Sequence, residues 1–141
     1  MTNSFPVTIY HNPACGTSRN TLAMIKAGGY EPAVIEYLKT GWTRALLEKL
    51  LTDMNQKPRD ILRDKGTPAV ELGLLDPSIS DDRILDEMVR HPILVNRPIV
   101  ATPKGTLLCR PSELVLELLD NPDIDPFTKE DGEIVARRPP A

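Results

Sequence analysis

The sequence predicts an α/β domain: a small mixed sheet flanked by helices, with a helical insertion between a βαβ opening and a ββα close. Three observations predict it. A β-rich run near the amino terminus leads through a turn into a helix and a second β-rich run. The middle of the chain carries only helical periodicity, and a glycine-containing hairpin then precedes one last apolar helix.

Residues 7–10 form the first β-rich run, which stops at the turn-forming stretch His-Asn-Pro-Ala-Cys-Gly (11–16). Thr17 or Ser18 is placed to cap a helix that runs to about Ala27, where Gly28 and Gly29 end it, with Leu22 and Ile25 three apart on a core-facing side. Residues 33–38 read as the second strand. Thr43 caps the next helix, whose Leu46, Leu47, Leu50, Leu51 and Met54 make one apolar stripe. Pro58 stands at a further helix start, and Ser80 caps an amphipathic helix with Asp81 and Asp82 in its first turn and Ile84, Leu85, Met88 and Val89 as its apolar face. Residues 99–102 and 106–109 flank Pro103-Lys104-Gly105 as a hairpin. The final helix starts at Pro111 with Leu114, Val115, Leu118 and Leu119 inward, and the proline-rich run 121–126 breaks the chain before a charged, fraying tail. This order is the one expected of a thioredoxin-like fold.

A chain of 141 residues suits a single domain over 1–141, with its core at about 7–132. Its net charge of -3 gives no broad positive field, which argues against nucleic acid and anionic membrane as partners. Neither a signal sequence nor a long apolar run is present, so the expected location is cytoplasmic. Two cysteines far apart, Cys15 and Cys109, are not a disulfide framework, and with two histidines they are not grouped at metal-ligand spacing.

Cys15 falls between a strand and a helix, where backbone N–H groups and the helix dipole favour a thiolate. His11 and Arg19 are near in sequence, and a cation held close to the sulfur lowers a thiol pKa further. The alternative is a small buried apolar residue, which Pro13 and Gly16 on either side weaken by marking a turn. Position 18 is Ser, so there is no Cys-x-x-Cys pair to resolve a mixed disulfide, and an external thiol must finish the reaction. Thr21 stands where a Cys-x5-Arg phosphatase cradle needs its arginine.

Four segments, His-Asn-Pro-Ala-Cys-Gly-Thr-Ser-Arg-Asn (11–20), His-Pro-Ile-Leu-Val-Asn-Arg-Pro-Ile-Val (91–100), Cys-Arg-Pro-Ser-Glu (109–113) and Phe-Thr-Lys-Glu-Asp-Gly (127–132), resemble the glutaredoxin-coupled arsenate reductase family. The resemblance spans about residues 7–132. It implies that Cys15 is the nucleophile and that Arg63, Arg97 and Arg110 bind the oxyanion. Planar guanidinium groups suit that task, since each offers paired donors and keeps its charge. Each arginine also reads as an ordinary surface cation, Arg63 most of all, since Arg59 lies one helical turn before it.

His11, Asn12, Ser18 and Arg19 are supporting candidates that read equally as loop and capping residues. Pro98 is the position where the family's fold implies a cis peptide. The resemblance further implies arsenate as substrate, glutathione as co-substrate, glutaredoxin as partner, a cysteine–arsenic covalent intermediate and no tightly bound cofactor. Two other readings share the fold: a glutathione-dependent thiol reductase without arsenate activity, and an Spx-like regulator, whose Cys-x-x-Cys switch Ser18 removes.

Overall fold

A computed structural model describes residues 5–121 and 127–135. They group into two compact units, one built from residues on either side of the other: the first contains residues up to Glu36 and from Arg97 onward, the second Tyr37–Asn96. The first unit holds the predicted mixed sheet. Its strands are β1 (Thr8–His11), β2 (Ala33–Glu36), β3 (Ile99–Thr102) and β4 (Gly105–Leu108), ordered β2-β1-β3-β4. β1 and β2 run parallel, joined by helix α1 (Gly16–Ala27), while β1–β3 and β3–β4 are antiparallel.

Register explains the core of this unit. Ile9 lies opposite Val100, and Val100 opposite Leu107, so one face of the sheet carries an apolar row. Against it pack Met24 and Ile25 of α1 and Val115, Leu116 and Leu119 from the segment after β4, all fully buried. α1 ends in a glycine cap in which Gly29 N–H donates to the Lys26 carbonyl and Tyr30 N–H to that of Ile25. Gly29 has φ +89°, a conformation that a side chain would strain.

Three local expectations are corrected here. The cap of α1 is Cys15 and not Thr17 or Ser18, and it makes no side-chain cap bond, because an Asn12 turn folds the Cys15 N–H back to the Asn12 carbonyl and starts the helix earlier. The last helix, Ser112–Leu118, is a 3-10 helix. Its buried residues Ser112, Val115 and Leu118 lie three apart, which is the 3-10 repeat. Finally, Ile134–Val135 does not fray: as β6 it pairs antiparallel with β5 (Phe127–Thr128), and Val135 is buried. Of the expected chain break only Asn121 is described; 122–126 and the tail from 136 lie outside the described residues.

The second unit is helical, as the sequence predicts, with α2 (Tyr37–Thr40), α3 (Arg44–Met54), α4 (Asp81–Arg90) and 3-10 turns at Pro58–Ile61 and Pro92–Leu94. Tyr37 and Leu38, expected to extend β2, belong to α2, and Tyr37 is buried and stacked on Trp42 at 5.0 Å between ring centres. The two ends of this unit are laced together: Tyr37 Oη donates to the Val95 carbonyl at 3.5 Å and Trp42 Nε1 to that of Pro92 at 3.3 Å. Val89, expected inside, lies at the exposed margin of the α4 face. Glu87 is buried in its place, paired with Arg90 at 3.1 Å and Arg83 at 3.7 Å.

Thr43 and Ser80 cap α3 and α4 as expected, their hydroxyls accepting from the Leu46 and Arg83 N–H groups at 3.1 Å. Thr43→Ala or Ser80→Ala is expected to cost about 1 kcal/mol each, read as a lowered denaturant midpoint at unchanged slope. An unshifted midpoint in both variants would remove the caps as contributors to stability. Among the described residues, no helix is long and apolar enough to cross a membrane.

Candidate active site

Cys15 closes the turn between β1 and α1 and is 9% exposed. Two features of the sequence build this turn. Asn12 Oδ1 accepts from Ala14 N–H at 2.9 Å, an Asx turn, and the Asn12 carbonyl accepts from Cys15 N–H at 3.0 Å. The thiol is thereby set on the first turn of a helix that lacks a side-chain cap.

The environment of the sulfur has a clear sign. Burial by itself pushes a thiol pKa up, but it is outweighed by hydrogen bonding from the Ser18 backbone and from the Arg97 and Arg110 guanidinium groups and by the charge of Arg97, so the Cys15 thiol lies below its ordinary value. Arg110 Nη1 stands 3.8 Å from Sγ, and the same nitrogen donates to the Arg97 carbonyl at 2.9 Å, fixing one arginine by the backbone of the other. Both arginines precede cis prolines, Pro98 and Pro111. The Pro98 carbonyl accepts from Cys109 N–H at 2.9 Å, joining the two arginine-bearing stretches.

His11 and Ser18 lie beneath the loop. His11 Nδ1 and Ser18 Oγ share a 2.6 Å hydrogen bond, and Ser18 Oγ also accepts from Asn12 N–H at 3.1 Å. Burial lowers the His11 pKa against the opposing pull of Glu36, while Arg19 and Lys26 lower it further, so the ring is neutral at pH 7. His11 is thus tied to the loop through its hydrogen bond to Ser18. Thr21, at the position of the missing phosphatase arginine, is buried and donates to the Thr17 carbonyl.

Arg19 points elsewhere. Its Nε and Nη2 donate to the two oxygens of Glu130 at 2.7 and 2.8 Å, and its Nη1 donates to the Pro13 carbonyl at 2.8 Å. Arg63 belongs to the second unit, where its Nε donates to the Lys65 carbonyl and its Nη1 to Asn96 Oδ1. Arg59, the neighbour that competed with it in the sequence, is occupied by the backbone carbonyls of Leu74, Asp76 and Ile79. The first unit thus brings together Cys15, Ser18, His11, Asn12, Arg97 and Arg110.

Cys109 contrasts with Cys15 in every respect. It is fully buried beyond β4, and burial pushes its thiol up to about 12. Among the described residues no three His, Cys, Asp or Glu side chains are grouped to hold a metal.

The depressed Cys15 pKa predicts the pH course of its reactivity. The thiolate is the nucleophile, so alkylation by iodoacetamide is expected to rise with pH and level off, with its midpoint below that of a free thiol, while Cys109 stays unlabelled in the folded protein. The same shift makes the folded state more stable above the unfolded thiol's pKa, a contribution lost as pH falls through the folded value. A midpoint at or above the free-thiol value would contradict this electrostatic reading.

Residues 10–118 match the model of the ArsC family. An arsenate reductase of Rhizobium meliloti is 60% identical over 129 residues, 92% of each chain. An arsenate reductase of Escherichia coli K12 is 57% identical over the same share. Among solved structures, an arsenate reductase from Vibrio cholerae superposes with a TM-score of 0.78 at 40% identity, covering 83% of this chain and all of that one.

Proposed function

This chain belongs to the ArsC family, and from that premise we propose that it reduces arsenate to arsenite, with Cys15 as the nucleophile and glutathione and glutaredoxin as the source of electrons. The observation that carries the reading is the convergence of Arg97 and Arg110 on one buried thiol at the start of α1. Such a centre suits a tetrahedral oxyanion: the two guanidinium groups offer paired donors, and their charge both holds the anion and favours the thiolate that attacks it. The resemblance implies Arg63, on the second unit, as a further oxyanion-binding arginine.

Arsenate binds through its oxygens to the arginines. The Cys15 thiolate donates its electron pair to As(V), forming an S–As bond as one As–O bond breaks and the departing oxygen leaves, protonated, as water. A glutathione thiolate then attacks the adduct. The electron pair of the S–As bond passes to arsenic, giving As(III), while the Cys15 and glutathione sulfurs are oxidised to a mixed disulfide. Glutaredoxin removes the glutathione by thiol–disulfide exchange and returns Cys15 as a thiolate.

Ser18 in place of a second cysteine, and the inert burial of Cys109, support the need for outside thiols, a requirement that suits a reducing cytoplasm. Arsenite formation from arsenate, with glutathione and glutaredoxin supplied, tests the proposal. Turnover that needs both thiols is the expected result. A folded protein whose Cys15 alkylates readily but forms no arsenite would favour a thiol reductase of other substrate.

A further inference from the structure

The hairpin β5–β6 lies outside the residues that touch the sulfur, yet its turn reaches both segments that form the thiolate site. Glu130 holds Arg19 with both carboxylate oxygens, and its backbone N–H donates to Asn20 Oδ1 at 3.1 Å, so the turn is fixed to α1 at two neighbouring residues. The third guanidinium nitrogen of Arg19 grips the Pro13 carbonyl, two residues before the nucleophile. The carboxylate also overlies Gly16, where a Cβ would come within 3.7 Å of Glu130 Oε1.

The adjacent residue reaches the other segment. Lys129 is buried, its ammonium 2.7 Å from Glu113 and 2.6 Å from Glu133. Glu113 is the second residue of the 3-10 helix, only three residues after Arg110. Two consecutive residues of one turn therefore tie the Cys15 loop and the Arg110 segment to a common point. The turn itself is held by Lys129 N–H to the Glu133 carbonyl at 2.8 Å and Gly132 N–H to that of Lys129 at 3.0 Å.

We propose that Glu130 is a positioning residue for the Cys15 nucleophile, acting through Arg19, and that the hairpin carrying it is a clasp across the thiolate site. A cation with one ligand swings freely, whereas a bidentate carboxylate fixes the guanidinium plane and so the direction of its third donor. Without Glu130, Arg19 loses that direction. The Pro13 carbonyl is released, and the sulfur departs from the positions at which Ser18 N–H, Arg97 and Arg110 meet it.

The charges acting on that sulfur allow a test by sign. Arg110 contacts it, Arg97 favours its thiolate, Arg19 acts on it through space, and burial lowers the pKa of His11. Removing a nearby negative charge alone would favour the thiolate and lower the alkylation midpoint, while loss of positioning raises it.

In the full-length protein, Glu130→Ala is expected to raise the iodoacetamide midpoint of Cys15 by about half a pH unit. That is about threefold less thiolate at any pH well below the midpoint. Glu130→Gln should fall between Glu130→Ala and wild type, because it keeps one oxygen acceptor. In an Arg19→Ala background, Glu130→Ala should no longer raise the midpoint, leaving only the small downward effect of the lost negative charge. An unchanged or lowered midpoint in both single variants, or a full effect in the absence of Arg19, would overturn the proposal. The inference rests on Cys15 as nucleophile, but alkylation is read without arsenate, so a failure of arsenate turnover in the wild type would not be mistaken for a failure of the clasp.

Discussion

Cys15→Ser is expected to lower arsenate turnover at least about a thousandfold, because a serine hydroxyl at neutral pH supplies neither the thiolate that attacks arsenic nor the sulfur that carries the mixed disulfide. The control is Cys109→Ala, which should retain most of the activity: that sulfur is fully buried and its thiol is pushed up to about 12, so it is protonated at any working pH. Arsenite formation measures both, with alkylation confirming that Cys15 is the labelled residue of the wild type. Equal losses in the two variants would end the division of roles between the cysteines. Fold retention is expected in both, since neither replacement leaves a buried charge.

The second large effect belongs to the arginines. Arg97→Ala and Arg110→Ala should each lower kcat/KM by about 10²–10³-fold, the scale of losing one donor aimed at developing charge. Each should also raise the alkylation midpoint of Cys15, because each guanidinium holds the thiol below its ordinary value. Lysine at either position restores the charge without the paired donors, so partial recovery is expected. Arg63→Ala separates binding from activation: it should raise KM while leaving the thiol midpoint where it was. Unchanged kinetics in the Arg97 and Arg110 variants would remove them from the oxyanion site.

Much of this arrangement was legible in the sequence where the cause is local. Thr43 and Ser80 announce helix starts because a hydroxyl at that spot meets an N–H three residues on, a relation needing no tertiary context. The turn around Cys15 was readable from Asn12, Pro13 and Gly16, although the cap shifted to Cys15 itself once the Asn12 side chain took the Ala14 N–H.

Elements whose form depends on distant partners were less legible. Leu114, Val115, Leu118 and Leu119 fit an α-helical repeat on paper, and only packing of Val115, Leu116, Leu118 and Leu119 into the core selects the 3-10 form. Arg19 is close to Cys15 in sequence, but its partner was not legible there, since Glu130 is more than a hundred residues away. The segment 127–132 stood out as recognisable, yet nothing in its own residues says that Lys129 is buried between two carboxylates.

The lacing of Tyr37 to Val95 and Trp42 to Pro92 bears on how the chain reaches its native state. β2 and β3 are separated by a stretch of about 60 residues, and a flexible connector of that length opposes their meeting by roughly 3.6 kcal/mol of closure entropy. Once the second unit has joined its own ends, the sheet experiences only a short effective connector, and the opposing entropy falls by about 2 kcal/mol. The closing contacts are themselves 58 and 50 residues apart, so the closure cost is met within the second unit and β3 is then delivered near β1; loosening those ends should slow refolding of the sheet before it alters the chemistry at Cys15.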